Sequence, residues 1–180
     1  MKLLAFSDLH LARSRAADLV AASADADLVI GAGDFCNMRD GLDMAMDLLS
    51  GLKAPMVAVP GNAESADELR AAAPPGMTVL HGEGVDVDGL TIFGLGYAVP
   101  RTPFGGWSCD MDEAEAETML AACETADLLV LHSPPKGIAI ARIGPKLAVC
   151  GHIHDSWGKE GTIGTTRVVN LGPTVNWFEL

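Results

Sequence analysis

Residues 26–34 read ADLVIGAGD, and this stretch decides the fold. A short run of Leu, Val and Ile that closes on glycine and then aspartate has the form of a buried strand ending in a turn. The pattern recurs outward in both directions. KLLAFSD (2–8), APMVAVPGN (54–62) and ADLLVLHS (126–133) are runs of the same kind, each ending in a turn or polar residue. Between the first three lie SRAADLVAASAD (14–25) and DGLDMAMDLLSGLK (40–53). Their apolar residues repeat at helical spacing, and their Ala, Leu, Met and Asp content suits helices. The order is strand, helix, strand, helix, strand, which predicts a parallel sheet with right-handed crossovers and an α/β fold.

Farther along, the texture changes. MTVLHGEGVDVDGLTIFGLG (77–96) predicts short strands with a tight hairpin turn at Asp88-Gly89. YAVPRTPFGGWSCD (97–110) has no period and reads as a surface loop. MDEAEAETMLAACETA (111–126) predicts a helix whose acidic first turn suits the helix dipole. The remainder, from KLAVC (146–150) onward, returns to strands separated by glycine turns.

A chain of 180 residues is the size of one well-buried domain, so a single domain spanning 1–180 is expected. Hydrophobic residues make up 49% of it, yet no apolar run approaches the ~18–20 residues of a membrane helix. The opening MKLLAFSDLH lacks the features of a signal peptide and reads as a first strand. Cys36, Cys109, Cys123 and Cys150 are scattered and form no C-x-x-C pair, which suits reduced thiols in a cytoplasm. A formal charge of -12 repels long nucleic acids and anionic membranes. The expected partner is therefore a small molecule, and the oligomeric state is left open.

Polar residues gather at the predicted strand ends. Asp8 and His10 close the first strand, Asp34 the second, Asn62 the third and His132 the strand LLVLH, while His152 and His154 follow KLAVC. In open α/β sheets the carboxyl ends of the strands form the site edge. Asp8 and His10 are two apart, as are His152 and His154; in an extended chain such pairs share a face and can reach one ion. A set of carboxylate, imidazole and amide oxygen suits borderline divalent metals. Asp34, Asn62 and His152 each follow a glycine, which permits a sharp turn beside a crowded site. A single aspartate at a strand end is usually a turn former, and a single buried histidine usually a hydrogen-bonded core residue. Concentration shifts the odds: four of the five histidines sit at strand ends, with His81 left as structural.

Taken in order, DLH (Asp8, His10), GD (Asp34), GNAE (Asn62), LHSPP (His132) and GHIH (His152, His154) resemble the five motifs of the calcineurin-like metallophosphoesterases. HSPPKG and GHIHDSWG are most similar to the small, single-domain phosphodiesterase-like branch. The resemblance implies a four-layered α/β/β/α sandwich. It also implies two divalent cations, Mn, Fe, Co, Ni or Zn with manganese favoured, held by Asp8, His10, Asp34 and His154 and by Asp34, Asn62, His132 and His152. Asp34 would bridge, and with Asn62 would stand at the centre of catalysis. Two such ions can activate a shared hydroxide and clamp a phosphoryl group through in-line displacement. The implied activity is hydrolysis of small phosphodiesters, including nucleotides.

One departure is Ala63, where the resemblance leads one to expect a histidine that assists the leaving group. An alanine side chain neither donates a proton nor forms a hydrogen bond. Glu64 beside it is expected to support the site rather than replace that histidine. A second departure is PPKGIAIARIGPKLAVC (134–150), which reads as running almost directly into the next strand and leaving a trimmed rim. Substrate contacts then fall to the 97–110 loop, with Arg101 for a phosphate and Phe104 or Trp107 for a base. Packing of the loop alone explains these side chains equally well. The rival reading is a catalytically weak binding scaffold such as the retromer subunit of this fold. Ala63 favours it, and the seven intact ligand positions oppose it.

Overall fold

Alternation of side chains along a strand sends successive residues to opposite faces, and in this protein both faces are covered. The computed structural model describes residues 1–134 and 137–180. Strands β1 (Lys2–Phe6), β2 (Leu28–Ala32), β3 (Met56–Val59) and β4 (Met77–Val79) run parallel in one sheet. Helices α1 (Arg13–Ala22), α2 (Leu42–Leu49) and α3 (Ala66–Ala72) connect them in turn. The second sheet has the order β5-β6-β7-β8-β10-β9, made from β5 (Glu83–Val87), β6 (Leu90–Leu95), β7 (Leu128–Leu131), β8 (Leu147–Cys150), β9 (Glu160–Ile163) and β10 (Thr166–Asn170). Its connections include α4 (Glu113–Leu120) and α5 (Gly137–Ile143). A last strand, β11 (Asn176–Glu179), returns to the first sheet and pairs antiparallel with β1.

Leu3, Ala5, Leu28, Ile30 and Val57 point from the first sheet onto Ile92, Leu128, Val130 and Val149 of the second. Their neighbours Leu4, Phe6 and Val29 face the other way, onto Leu19, Met46, Leu49 and Leu69 of α1 to α3. On the far side, Phe93, Leu129 and Leu131 pack against Ala116, Leu120, Ile140 and Ile143 of α4 and α5. The result is helices, sheet, sheet, helices: the four-layered sandwich. No described helix is long and apolar enough to cross a membrane.

Three expectations change. The stretch 77–96 splits: Met77–Val79 joins the first sheet beside β3, and only β5 and β6 form the hairpin at Asp88-Gly89. The helix expected over 111–126 narrows to Glu113–Leu120, started by a capping box between Asp112 and Glu115. The stretch read as running almost directly into β8 instead contains α5, because burying Ile140 and Ile143 against the sheet outweighs their modest helix propensity. The trimming expected of the PPKG rim rests partly on Pro135 and Lys136, which lie outside the described residues.

Candidate metal centre

The carboxyl ends of the parallel strands in both sheets meet along one edge. Asp8 and His10 stand after β1, Asp34 after β2, Asn62 after β3, His132 after β7, and His152 and His154 after β8. Four candidate ligands thus come from one sheet and three from the other. The route by which Asp8 and His10 converge differs from the expected pleat. Asp8 (φ 53°), His10 (φ 44°) and Leu11 (φ 61°) are left-handed, so a tight turn turns both side chains inward. His152 (φ 66°) is left-handed too. Non-glycine residues adopt this conformation at a cost of about 1–2 kcal/mol each, so the surrounding structure must hold them there.

Two clusters result. Ligand atoms of Asp8, His10, Asp34 and His154 lie within 4.8 Å of one another, as do those of Asp34, His132 and His152. Asp34 belongs to both. Its Oδ2 faces His10 Nε2 at 3.4 Å, and its Oδ1 faces His132 Nε2 at 3.5 Å. His154 Nε2 is 3.6 Å from Asp8 Oδ1. Asn62 joins the second cluster through Oδ1, which lies 3.1 Å from both His132 Nε2 and His152 Nδ1.

The proton positions fit a cation. His10 Nδ1 lies 3.0 Å from the Cys36 carbonyl, and His132 Nδ1 lies 2.9 Å from the Ala32 carbonyl. A carbonyl only accepts, so in the neutral rings Nδ1 carries the hydrogen and Nε2 offers a lone pair to the site. His10 Nε2 is buried with no hydrogen-bond partner. A buried lone pair facing a carboxylate oxygen is unfavourable until a positive charge lies between them. The oxygen and imidazole set, free of thiolates, suits Mn, Fe, Co, Ni or Zn.

The same crowding perturbs the titrating groups. Burial disfavours the His132 cation, but Asp34 and Asp8 outweigh it and raise its pKa above the ordinary imidazole value. Burial, and then His132, push His152 down. Glu64 is raised to about 6 by burial and by Asp34. Its carboxylate accepts from the backbone N–H of Gly61 (2.7 Å), Asp34 (2.9 Å) and Phe35 (3.1 Å), tying the turns after β2 and β3 together. The glycines there are matters of close approach. A Cβ at Gly61 would collide with the Asp34 carboxylate, and one at Gly151 would meet Asp8 Oδ2 at 2.7 Å.

Several residues that steady the ligands have no sequence signal beyond their neighbours. Ser7 Oγ donates to Asp8 Oδ2 at 2.5 Å, Trp157 Nε1 donates to the same oxygen at 3.1 Å, and Asn62 Nδ2 donates to Ser108 Oγ at 2.9 Å. Arg101 pairs with Glu115 of α4 at 2.7 Å, and Phe104 stacks on Trp107 with ring centroids 5.6 Å apart. His81 sits apart from both clusters; its Nδ1 accepts from Gly96 N and its ring packs on Tyr97. The Cys36 thiol is buried, and burial and Glu64 hold it protonated.

Residues 1–179 match the calcineurin-like phosphoesterase superfamily domain. The crystal structure of TT1561 of Thermus thermophilus is 16% identical, with a TM-score of 0.78 over 98% of this chain and 97% of that one. An archaeal phosphodiesterase is also 16% identical, with a TM-score of 0.54 over 96% of this chain and 84% of that one. UPF0046 protein K07C11.7 of Caenorhabditis elegans is 29% identical over 110 residues, which are 51% of this chain and only 37% of that protein.

Proposed function

The chain belongs to the calcineurin-like phosphoesterase superfamily, and from that premise we propose that it hydrolyses small phosphodiesters, nucleotides among them, with two divalent cations. The observation that carries this reading is Asp34, which turns one carboxylate oxygen toward each donor cluster. Asp8, His10, Asp34 and His154 would hold one cation, and Asp34, Asn62, His132 and His152 the other, with manganese favoured. Such ions supply a water-derived nucleophile at neutral pH and offset charge on phosphoryl oxygens.

The chain's own residues do the positioning. Glu64 fixes the backbone of Asp34, and the Ala63 N–H donates to Asp34 Oδ1 at 2.8 Å, so the carboxylate shared by the two clusters is aimed before substrate arrives. Substrate contacts fall to the 97–110 loop. Trp107 stands next to Ser108, which bonds Asn62, and Arg101 reaches phosphate by exchanging its partner Glu115.

Ala63 is buried and offers no side-chain proton. Loss of a general acid typically forfeits about 10²–10⁴-fold, so the rate should depend strongly on how well the leaving oxygen bears charge. Aryl esters should react much faster than alkyl esters, and phosphomonoesters with poor leaving groups should be the slowest. The test is hydrolysis rate against leaving-group pKa for diesters and monoesters, in the wild type and in Ala63→His, with metal content measured. A steep slope that flattens in Ala63→His is expected; a wild-type slope near zero would overturn the reading. The binding-scaffold reading rests on Ala63 alone, and metal-loaded protein that hydrolyses no ester would favour it.

A further inference from the structure

The loop over residues 97–110 folds back onto the metal-binding turn. Cys109 N donates to the Asn62 carbonyl at 2.9 Å, and the Asn62 side-chain Nδ2 donates to Ser108 Oγ, also at 2.9 Å. Ser108 Oγ lies 2.5 Å from Asp110 Oδ1. Asp110 Oδ2 accepts from Thr102 N at 2.7 Å and from Thr102 Oγ1 at 2.8 Å. Burial works against the Asp110 carboxylate, but the Ser108 and Thr102 donors outweigh it and keep it ionised, below its ordinary pKa.

The Thr102 hydroxyl also lies 3.2 Å from Ser108 Oγ and donates to that oxygen or to Asp110, and either way one arrangement is left for the Ser108 hydrogen. An ionised carboxylate only accepts, so the Ser108 hydroxyl must point its hydrogen at Asp110. Ser108 Oγ then faces Asn62 with a lone pair and can only accept from it. The amide nitrogen of Asn62 is thereby held toward Ser108 and its oxygen toward His132 and His152. The opposite orientation has a local attraction of its own. With His132 neutral, as a cation-binding imidazole must be, a flipped Asn62 would donate Nδ2–H to the lone pair on His132 Nε2, whose ring is set by the Ala32 carbonyl. That state would turn an N–H, which cannot bind a cation, into the second cluster. Asp110 excludes it by denying Asn62 Oδ1 a donor from Ser108.

We infer that Ser108 and Asp110 are positioning residues that set the polarity of the Asn62 amide, so that its oxygen rather than its nitrogen faces the second cation position. This inference rests on the two-metal reading of the same site. Asp110→Asn is the discriminating change. It keeps the size of the side chain, but its amide can donate to Ser108 Oγ and release the Ser108 hydrogen to a flipped Asn62. Removing a hydrogen-bonding partner of a metal ligand typically lowers metal affinity about 10- to 100-fold.

The experiment is titration of metal-stripped full-length protein with Co²⁺ or Mn²⁺ by calorimetry, alongside ¹⁵N–¹H spectra of the Asn62 side-chain amide in the metal-free state. Asp110→Asn and Ser108→Ala should each weaken the second of two ions about tenfold and leave the first in place, and Ser108→Thr, which keeps the hydroxyl, should bind both. The double variant Ser108→Ala/Asp110→Asn should be no worse than Ser108→Ala alone, since Asp110 acts through Ser108. In metal-free Asp110→Asn the Asn62 amide signals should shift. Wild-type affinity for both ions in Asp110→Asn, or additive losses in the double variant, would overturn the inference. Wild-type protein that binds no ion would sink the two-metal reading itself. The amide spectra then still decide the orientation, and unshifted signals in Asp110→Asn overturn it.

Discussion

The two edges of the sheets are built on opposite principles. At the amino ends of β6, β7 and β8, Asp127 accepts from Thr91 N at 3.1 Å, from Thr91 Oγ1 at 2.8 Å and from Lys146 at 2.9 Å. Charge there is paired, as at Asp127, or exposed to solvent, as at Asp86 and Asp88, and among the described residues of this edge only Asp88, in the hairpin turn, has a left-handed non-glycine backbone. At the carboxyl ends, Asp8, Asp34 and Glu64 are buried, and the ion pairs of Asp8 and Asp34 among the described residues are to histidines. Every other described non-glycine residue with a left-handed backbone lies on this edge: Asp8, His10, Leu11, Asp34, Met38, Arg39, Tyr97 and His152. Strain and buried carboxylate charge therefore coincide in one place and are nearly absent from the other. One edge is built for stability, and the other holds costs that a bound ligand would offset.

The largest expected effect strikes the costly edge at its centre. Asp34→Asn should empty both cation positions and reduce hydrolysis beyond the about 10- to 100-fold cost of losing a supporting partner. Elemental analysis and rate measurement on purified variants check it, with Asn62→Ala expected to weaken mainly one position. Retention of two ions and full activity would abolish the special standing of Asp34.

Metal removal should follow in size. Cations that relieve repulsion between buried carboxylates stabilise the folded state, by about 2.7 kcal/mol for an ion at 100 times its dissociation constant, or about 5–10 °C in a domain of this length. Differential scanning calorimetry with and without chelator reads the shift; an unchanged melting temperature would leave the charge at this edge without a counterpart. Gly61→Ala should cost about 1–3 kcal/mol and weaken metal binding, because the added methyl meets the Asp34 carboxylate. Denaturant unfolding checks the stability, and calorimetric titration the binding.

The smallest effect belongs to the quiet edge and concerns pH. The Lys146 and Thr91 donors lower the Asp127 pKa from 3.8 to about 2. A carboxylate with a depressed folded-state pKa contributes stability above its unfolded value and loses it as pH falls through the folded one. Acid unfolding should therefore lose a small increment between about pH 4 and pH 2 that Asp127→Asn lacks, without any change in metal binding. A variant whose acid profile overlays the wild type would show that this pair does not contribute.

What could be read in advance follows the same division. The runs LLAF, LVIGA and MVAV announce strands because full burial leaves a compositional mark, and the donors are found at their ends because strand topology puts functional groups there. Helix α3 escaped the reading although its signal was present, since Ser65 and Glu68 form a capping box. Helix α5 carried a misleading signal, because GIAIARI is rich in the β-branched residue typical of strands, and only packing against the second sheet makes it a helix. The left-handed backbones of Asp8 and His10 have no mark in composition. Ser108 bonds Asn62 across 46 residues, a relation that no local window contains.

The indole of Trp157 gives the protein a light of its own. It donates to Asp8 Oδ2 at 3.1 Å and lies 4.5 Å from the His154 ring, so one of the chain's three tryptophans reports from the wall of the cluster. Trp107 and Trp177 emit from the 97–110 loop and from β11, which makes Trp157→Phe the control that isolates its signal. Filling of the first cluster should then be legible in intrinsic fluorescence, with no label and no substrate.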